Sequence, residues 1–204
     1  LIISKDKKKQ KEDMDIIISE VDRLTILVND ILELSKMQSN INELQKEEFN
    51  LIELTKEITH RYKVLQETEN YKFKFNHNEK EIIINADKKK IEQVIYNLIN
   101  NAINYTGEDN TVFINIVKEE KDILVEIKDT GKGIKEEDLP YIWDKYYKNK
   151  KKHKRNLVGT GLGLSIVKNA LQLHNYDFGV TSEKNKGSCF YFKIPITKEK
   201  HKEN

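Results

Sequence analysis

The sequence predicts an α+β protein in which a sheet is layered on helices. Two observations support this: strand-like segments that alternate or run apolar, and helix-like segments with apolar residues at helical spacing. A third is their order, in which hairpin-like strand pairs are interrupted by helices. The 204 residues are enough for one domain with a real core and an additional N-terminal element.

An amphipathic helix is predicted near the N-terminus. Six apolar residues recur along it three or four positions apart: Met14, Ile17, Val21, Leu24, Val28 and Ile31. A helix cannot bury such a stripe alone, so we expect a partner helix, with packing on its own domain as the alternative.

From residue 49 onwards the pattern changes to strands mixed with helices. The predicted strands are 49–52, 71–75, 81–85, 111–117, 122–128 and 188–194. The predicted helices are 54–65, a long one that Asp87 caps and that reaches Tyr105, and an apolar run that begins at Leu164. Pro195 and a polar tail end the domain.

Two glycine motifs, Asp129-Thr-Gly-Lys-Gly-Ile134 and Gly159-Thr-Gly-Leu-Gly-Leu164, contain five of the eight glycines. Because glycine is costly to fix, this concentration indicates backbone that turns sharply or approaches a ligand closely. The second motif leads into a helix, and the free N–H groups of a helix N-terminus bind phosphate. The first adds the carboxylate of Asp129. Together they predict a nucleotide pocket.

The long helix has a polar face opposite its apolar stripe. Gln93, Asn97 and Asn101 lie one turn apart on this face, and Asn104 extends the row. Asparagine is a mediocre helix former, so several asparagines on one helix face indicate a role other than helix formation. An amide oxygen is a suitable Mg²⁺ ligand beside nucleotide phosphates. The alternative is a solvated helix face.

An aromatic cluster, 141–147, and a lysine-rich run, 145–155, separate the glycine motifs. We interpret the cluster as the hinge of a lid over the phosphates. The alternative is a loop anchored to the core. If the cluster is a hinge, we expect the lysines to face the phosphates of the nucleotide. The alternative for the lysine-rich run is a solvated loop.

The overall composition narrows the function classes. A net charge of +2 gives no argument for nucleic-acid binding. No window approaches a membrane-spanning length of apolar residues, and no signal peptide is recognisable. The single cysteine, Cys189, excludes an internal disulfide, fits a reducing compartment and is predicted to lie in the core.

Four of these segments resemble, in order and spacing, the boxes of sensor histidine kinases. Asn97-Leu-Ile-Asn-Asn-Ala102 is similar to the N box, and the two glycine motifs are similar to the two glycine boxes. Ile142-Trp-Asp-Lys-Tyr-Tyr147 resembles the F box between them. Residues 20–35 are similar to the second helix of the family's dimerization and histidine-phosphotransfer hairpin.

The resemblance implies a two-layer α/β sandwich of the histidine-kinase ATPase (Bergerat) type, preceded by the remnant of a helical hairpin. It divides the chain into the C-terminal part of that hairpin (1–44), a catalytic ATP-binding domain (45–197) and a polar tail (198–204). The cofactors implied are ATP and Mg²⁺.

The resemblance also assigns roles to residues. Asp129 would accept a hydrogen bond from the adenine amino group, Asn101 would bind Mg²⁺, and Asn97 would lie close by, both asparagines being catalytic. Tyr105 would lie against the nucleotide, and Lys148 would contact phosphate. The remaining ATP-binding residues implied are Gly131, Gly133, Gly159, Thr160, Gly161, Leu162 and Gly163.

The function implied is that of the cytoplasmic catalytic part of a membrane-bound sensor kinase in a two-component system. It would transfer the γ-phosphoryl group of ATP to a histidine, for relay to a response-regulator aspartate. Homodimerization is implied for the full-length protein, with no nucleic-acid or membrane contact by this part. None of the five histidines has the family's phosphoacceptor context, so we expect no autophosphorylation, and a weak dimer or a monomer.

Three alternatives stay open. Clamp ATPases (chaperones, mismatch-repair proteins and topoisomerase subunits) share a similar fold but normally continue into a transducer domain. A degenerate, non-enzymatic module would have lost Asn101, Asp129 or the glycines, which are all present. An anti-sigma-factor serine kinase is a further relative, which the apolar stripe near the N-terminus disfavours.

Overall fold

The computed structural model describes residues 14, 28, 43–62, 67, 69–144, 147 and 161–196. Within them, helices and strands form a mixed sheet packed on helices, which confirms the predicted fold class. The elements are β1 (Lys46–Asn50), α1 (Leu51–His60), β2 (Lys72–His77), β3 (Ile83–Asp87), α2 (Lys88–Tyr105), β4 (Thr111–Lys118), β5 (Asp122–Asp129), α3 (Gly163–Leu173), β6 (Asp177–Glu183) and β7 (Gly187–Pro195).

The main sheet has five strands in the order β2-β4-β5-β7-β6. Strands β2 and β4 are parallel, and the other neighbours are antiparallel. Strands β1 and β3 form a separate antiparallel pair. Side chains alternate along β4 and β5, so that Val112, Ile114, Val125 and Ile127 are buried toward the helices.

Helix α2 is the centre of the core. Its predicted apolar stripe is buried in full: Ile91, Val94, Ile95, Leu98 and Ala102. The cap is also as predicted, because Oδ1 of Asp87 accepts a hydrogen bond from the backbone N–H of Lys90 at 3.1 Å. The helix ends at Tyr105, as the sequence predicts.

The predicted strand 49–52 is wrong in its second half, because a helix begins there. The side chain of Asn50 caps α1 by accepting a hydrogen bond from the N–H of Ile52 at 3.1 Å. The same oxygen accepts from the N–H of Ile82 at 3.3 Å. Leu51 and Ile52 are therefore the buried first turn of α1 rather than strand residues.

Strand β6 was not predicted. It contains Gly179, which sequence patterns disfavour in a strand, but the ring of Tyr191 crosses this position. A Cβ on Gly179 would lie 2.6 Å from the Tyr191 hydroxyl oxygen. The prediction for Cys189 also needs correction. Its side chain is half-buried on the face of β7 opposite to Phe190 and Phe192, so it does not belong to the core.

Most of the predicted N-terminal helix lies outside the described residues. Met14 and Val28 are described, and both are helical and exposed. The division at residue 44 therefore stays a prediction. None of the helices that the structure describes is long and apolar enough to cross a membrane.

Candidate functional site

Helix α2 contacts both glycine motifs and so brings them to one site. Near its C-terminus, the carbonyl of Tyr105 lies against Gly131 of the first motif. Two turns earlier, the amide of Asn97 lies against Gly163, where α3 begins. The site is therefore built along the C-terminal half of α2, with the first motif at the end of the helix and the second near its middle.

Asp129 is the last residue of β5 and is 2% exposed. Its Oδ1 accepts a hydrogen bond from the N–H of Gly131 at 2.8 Å, and the N–H of Ser188 also donates to the carboxylate. Burial raises the pKa of Asp129, and these N–H groups oppose that rise without cancelling it. A buried, oriented carboxylate of this kind is suited to accept a hydrogen bond from a ligand amine.

Gly131 is required by close approach rather than by its backbone angles. A Cβ at this position would lie 1.8 Å from the carbonyl oxygen of Tyr105. Gly133 has both constraints, a φ of +69° and a Cβ position 2.3 Å from the carbonyl oxygen of Glu183. The first motif is thus closely packed between the end of α2 and the β6–β7 hairpin.

The β6–β7 hairpin supports the first motif through residues that the sequence analysis missed. The N–H of Ile134 donates to Oγ of Ser182 at 2.8 Å, and Ser182 also contacts Oγ of Ser188 at 3.1 Å. At the hairpin turn, the N–H of Asn185 donates to the carbonyl of Lys132 at 2.8 Å. Asn185 has a φ of 64°, a left-handed conformation that asparagine tolerates better than most residues.

A second group of hydrogen bonds joins the end of α2 to the first motif. Oγ1 of Thr130 lies 2.9 Å from Oγ1 of Thr106, accepts from the N–H of Gly107 and donates to the carboxylate of Asp109. Burial alone would raise the pKa of Asp109, but hydrogen bonds from Thr130 and Thr111 outweigh it and lower the pKa. Asp109 therefore fixes the loop after α2 as a carboxylate.

The start of α3 is formed by the end of the second glycine motif. Gly161 has a φ of +75°, Leu162 is 2% exposed, and the helix begins at Gly163. Leu162, at the N-cap position, makes no side-chain cap hydrogen bond, and the first turn of the helix has no acidic residue. A Cβ on Gly163 would lie 3.2 Å from Oδ1 of Asn97. An anion can be bound here by helix N–H groups beside a neutral amide.

The other predicted ligands divide into two groups. Asn97 and Asn101 are half-buried on α2, and Tyr105 at its end is 43% exposed. Partial burial raises the pKa of the Tyr105 phenol. Gly159, Thr160 and Lys148 lie outside the described residues. Among the described residues no group of three or more His, Cys, Asp or Glu side chains could hold a metal.

Part of the aromatic cluster anchors a loop to the core. Ile142 is buried, and the ring of Trp143 packs edge-on against Phe178 and Phe190, at centroid distances of 5.0 and 5.8 Å. A hydrogen bond with Asp138 raises the pKa of Tyr147 to about 12. The anchoring interpretation fits Trp143, whereas the proposed hinge and lid involve residues outside the described ranges.

Comparison with known proteins identifies the domain. Residues 86–198 match the family described as histidine kinase-, DNA gyrase B- and HSP90-like ATPase, which is more than half of the chain. The chain belongs to this ATPase family. Within it, the chain is a histidine-kinase catalytic ATP-binding domain, as the resemblance of its boxes predicted. The nucleotide-free catalytic domain of histidine kinase ThkA is 30% identical, with a TM-score of 0.66. That match covers 76% of this chain and 99% of the ThkA domain.

Two further relatives extend the comparison beyond the catalytic domain. Sensor histidine kinase WalK of Bacillus subtilis is 35% identical over 144 residues, which are 70% of this chain and 23% of WalK. The structure of ThkA in complex with the response regulator protein TrrA has a TM-score of 0.71 at 30% identity. It covers 91% of this chain and 51% of that chain. In the comparison with WalK, this chain spans less than a quarter of the length of the relative.

In this histidine-kinase domain, Ser182→Ala should destabilise the fold by about 1–3 kcal/mol, because the half-buried N–H of Ile134 loses its acceptor. Urea unfolding measures the effect. Thr181→Ala is the matched control, since Thr181 is exposed on the same strand. Equal unfolding free energies for the two variants would contradict the supporting role of the hairpin.

Proposed function

We propose that this histidine-kinase domain binds Mg²⁺·ATP along α2 and presents the γ-phosphoryl group to a histidine on another segment. The observation that carries the proposal is that one helix contacts both glycine motifs, at Tyr105 and at Asn97. This contact supports a site in which Asp129 would bind the base and the start of α3 would bind phosphate. The phosphorylated histidine would then supply the aspartate of a response regulator.

The adenine end of the proposed site is the first motif. The carboxylate of Asp129 would accept a hydrogen bond from the adenine amino group, while Gly131 and Gly133 let the backbone pass close to the base. Tyr105 would lie against the nucleotide, since its side chain is the exposed aromatic at this end of α2. Packing by Ser182 and Asn185 would keep the motif in place when the site is empty.

The phosphate end is the start of α3. The backbone at Gly161, Leu162 and Gly163 would bind phosphate oxygens, with Gly159, Thr160 and Lys148 completing the site from the adjoining segment. Asn101 would bind Mg²⁺ and Asn97 would orient the phosphates. When bound, Mg²⁺ would neutralise charge on the phosphate oxygens. The chain's own contribution is to position the phosphoryl group in line with the attacking nitrogen.

None of the described histidines stands in the sequence context of the family's phosphoacceptor histidine. His60 ends α1 and is exposed, His77 lies on the edge strand β2, and His174 is buried with both ring nitrogens hydrogen-bonded. His153 and His201 lie outside the described residues. We therefore propose that these 204 residues bind the nucleotide but do not phosphorylate themselves.

The remaining partners are proposed from the relatives. ThkA forms a complex with a response regulator protein, and we propose a response regulator as the partner of this chain also. Homodimerization through residues 1–44, and a place on the cytoplasmic side of a membrane sensor, follow from the family resemblance.

Calorimetric titration of ATP with and without Mg²⁺ tests this function. We expect Mg²⁺ to increase the affinity of the unmodified chain, and Asn101→Ala to lose most of that increase, about tenfold or more, because a metal ligand is removed. Gln93→Ala is the matched control, since Gln93 lies on the same face of α2 two turns away. An equal Mg²⁺ effect in Asn101→Ala would contradict the metal assignment. Absence of ATP binding by the unmodified chain would overturn the proposed function.

A further inference from the structure

His174 connects the C-terminus of α3 with the N-terminus of α2, at the ends of these two helices that lie away from the glycine motifs. It follows the last residue of α3 and is 5% exposed. Its Nε2 lies 3.1 Å from the backbone N of Asp87, the residue that caps α2. Its Nδ1 lies 2.7 Å from the carbonyl oxygen of Ala170, one turn back in α3.

These two contacts require a neutral ring with one tautomer. The carbonyl of Ala170 can only accept, so Nδ1 must carry the hydrogen. The N–H of Asp87 can only donate, so Nε2 must be the unprotonated nitrogen. A protonated ring would place an N–H group against the N–H of Asp87, and this hydrogen bond would be lost.

The position of His174 relates this contact to the nucleotide site. Asp87 lies ten residues before Asn97, and Gly163 lies eleven residues before His174, which is about 15 Å along each helix. Since Asn97 contacts Gly163 and Asp87 contacts His174, α3 runs antiparallel to the N-terminal half of α2 and contacts it at both ends of α3. The contact at His174 therefore fixes how far α3 can slide or tilt along α2.

We propose that His174 is a positioning residue that holds the start of α3 against Asn97, and that its protonation weakens nucleotide binding in acid. The inference rests on the proposed nucleotide site. It assigns no contact with the nucleotide to His174, which lies about three turns from the glycine motif.

The charges around the ring support this behaviour. Burial lowers the pKa of His174 below its usual value of 6.5, and the hydrogen bond to Ala170 opposes that change. Asp87 favours the protonated ring, whereas Lys46 of β1 and Lys90 of α2 disfavour it. The phenol of Tyr176 also lies beside it, at 5.0 Å between ring centroids, and burial raises its pKa.

The sign of the pH effect follows from this direction. Well above pH 6.5 the imidazole ring is neutral in both the folded and the unfolded chain, and its contact with Asp87 is intact. As the pH falls below 6.5, the unfolded chain binds the proton first, so folding stability declines until the lowered pKa of the folded state is reached. The contact between α2 and α3 at His174 should therefore weaken in mild acid.

The test compares ATP affinity from pH 8 to pH 5.5 in the unmodified chain and in His174→Gln. The glutamine oxygen can accept from Asp87 but does not take up a proton in this range. We expect similar affinities at pH 8, and an extra loss in the unmodified chain that grows as the folded ring takes up its proton and levels off at about fivefold, the effect of one lost hydrogen bond. The titration of ATP itself and of Asp129 is common to both proteins and cancels.

Parallel pH profiles for the two proteins, over the range in which the imidazole of the folded chain takes up its proton, would overturn the proposal. An independent measurement is the nitrogen NMR spectrum of the imidazole in the nucleotide-free, unmodified chain, which needs no variant to fold. A neutral ring with hydrogen on Nδ1 and a lowered pKa is expected, and hydrogen on Nε2 would also overturn the proposal. If neither protein binds ATP at pH 8, the proposed function fails, while the NMR result still decides the state of His174.

Discussion

Asp129→Asn is expected to reduce ATP affinity by about 10- to 100-fold, the cost of a mispaired buried hydrogen-bonding group. One oxygen of Asp129 already accepts from the N–H of Gly131. The asparagine amide replaces one acceptor by an NH₂ group. That group must face either a backbone N–H or the adenine amino group, and both are donors. Calorimetry at pH 7.5 measures the loss.

Glu126→Gln is the control for this prediction, because it removes the same charge from the same strand. Glu126 lies on the opposite face of β5, where it contacts Asn115 and Cys189. Its ATP affinity should stay within about twofold of the unmodified chain. A comparable loss in both variants would indicate that net charge, rather than the base contact, governs binding.

Asp129→Asn should change the affinity for ATP much more than it changes the stability of the fold. Because burial raises its pKa, the ionised carboxylate costs the folded state some stability as the pH rises through that pKa. A neutral amide of the same shape avoids this cost but pairs less well with the N–H groups of Gly131 and Ser188. Because these two effects oppose each other, Asp129→Asn should unfold at nearly the same urea concentration as the unmodified chain. Binding to the ionised form should be lost as the pH falls through the same raised pKa.

Gly131→Ala should abolish nucleotide binding and destabilise the domain by more than the 1–3 kcal/mol typical of overpacking. The added Cβ would lie 1.8 Å from the carbonyl oxygen of Tyr105 and 2.9 Å from Oδ1 of Asp129. The first neighbour is backbone, which cannot move away by rotating a side chain. Either the end of α2 or the first motif must shift, and both belong to the proposed site. Urea unfolding and ATP titration measure the two effects.

Gly163→Ala is the matched control, since it adds the same methyl group to the second motif. Its Cβ would lie 3.2 Å from Oδ1 of Asn97, a side-chain atom that can rotate away. Alanine also favours the helix that begins there. We expect a fold as stable as the unmodified chain and a modest loss of affinity. Equal destabilisation by the two alanines would contradict the close packing at Gly131.

The fold was predictable where local signals decide it. Helix α2 has its cap, its apolar stripe and its end in one continuous segment, so Asp87 and Tyr105 were both correctly assigned. Strand β6 depends instead on its partner, because Gly179 suits the strand only through the ring of Tyr191. The beginning of α1 likewise depends on Asn50, whose oxygen also holds the N–H of Ile82, 32 residues away.

The residues of the site also divide into those that local motifs predict and those that depend on distant partners. Asp129, Gly131 and Gly163 stand in motifs whose composition is informative by itself, and the structure brings them to one helix. The supporting residues Ser182 and Asp109 were missed because nothing in their neighbours along the chain distinguishes them. Ser182 acts on Ile134 across 48 residues of sequence. For Asn185 a signal was available, because an asparagine followed closely by Gly187 is typical of a turn.

The two contacts of α2 also set the length of the site. Tyr105 and Asn97 are eight residues apart, which is about 12 Å of helix and little more than two turns. A helix is stiff over this distance, so the separation between the base end and the phosphate end is a property of one element. Lengthening α2 by one residue between these contacts would move one motif by about 1.5 Å and turn it by about 100° relative to the other. The number of residues between Asn97 and Tyr105 is therefore a constraint on this helix in its own right, in addition to the side chains that the site and the core require.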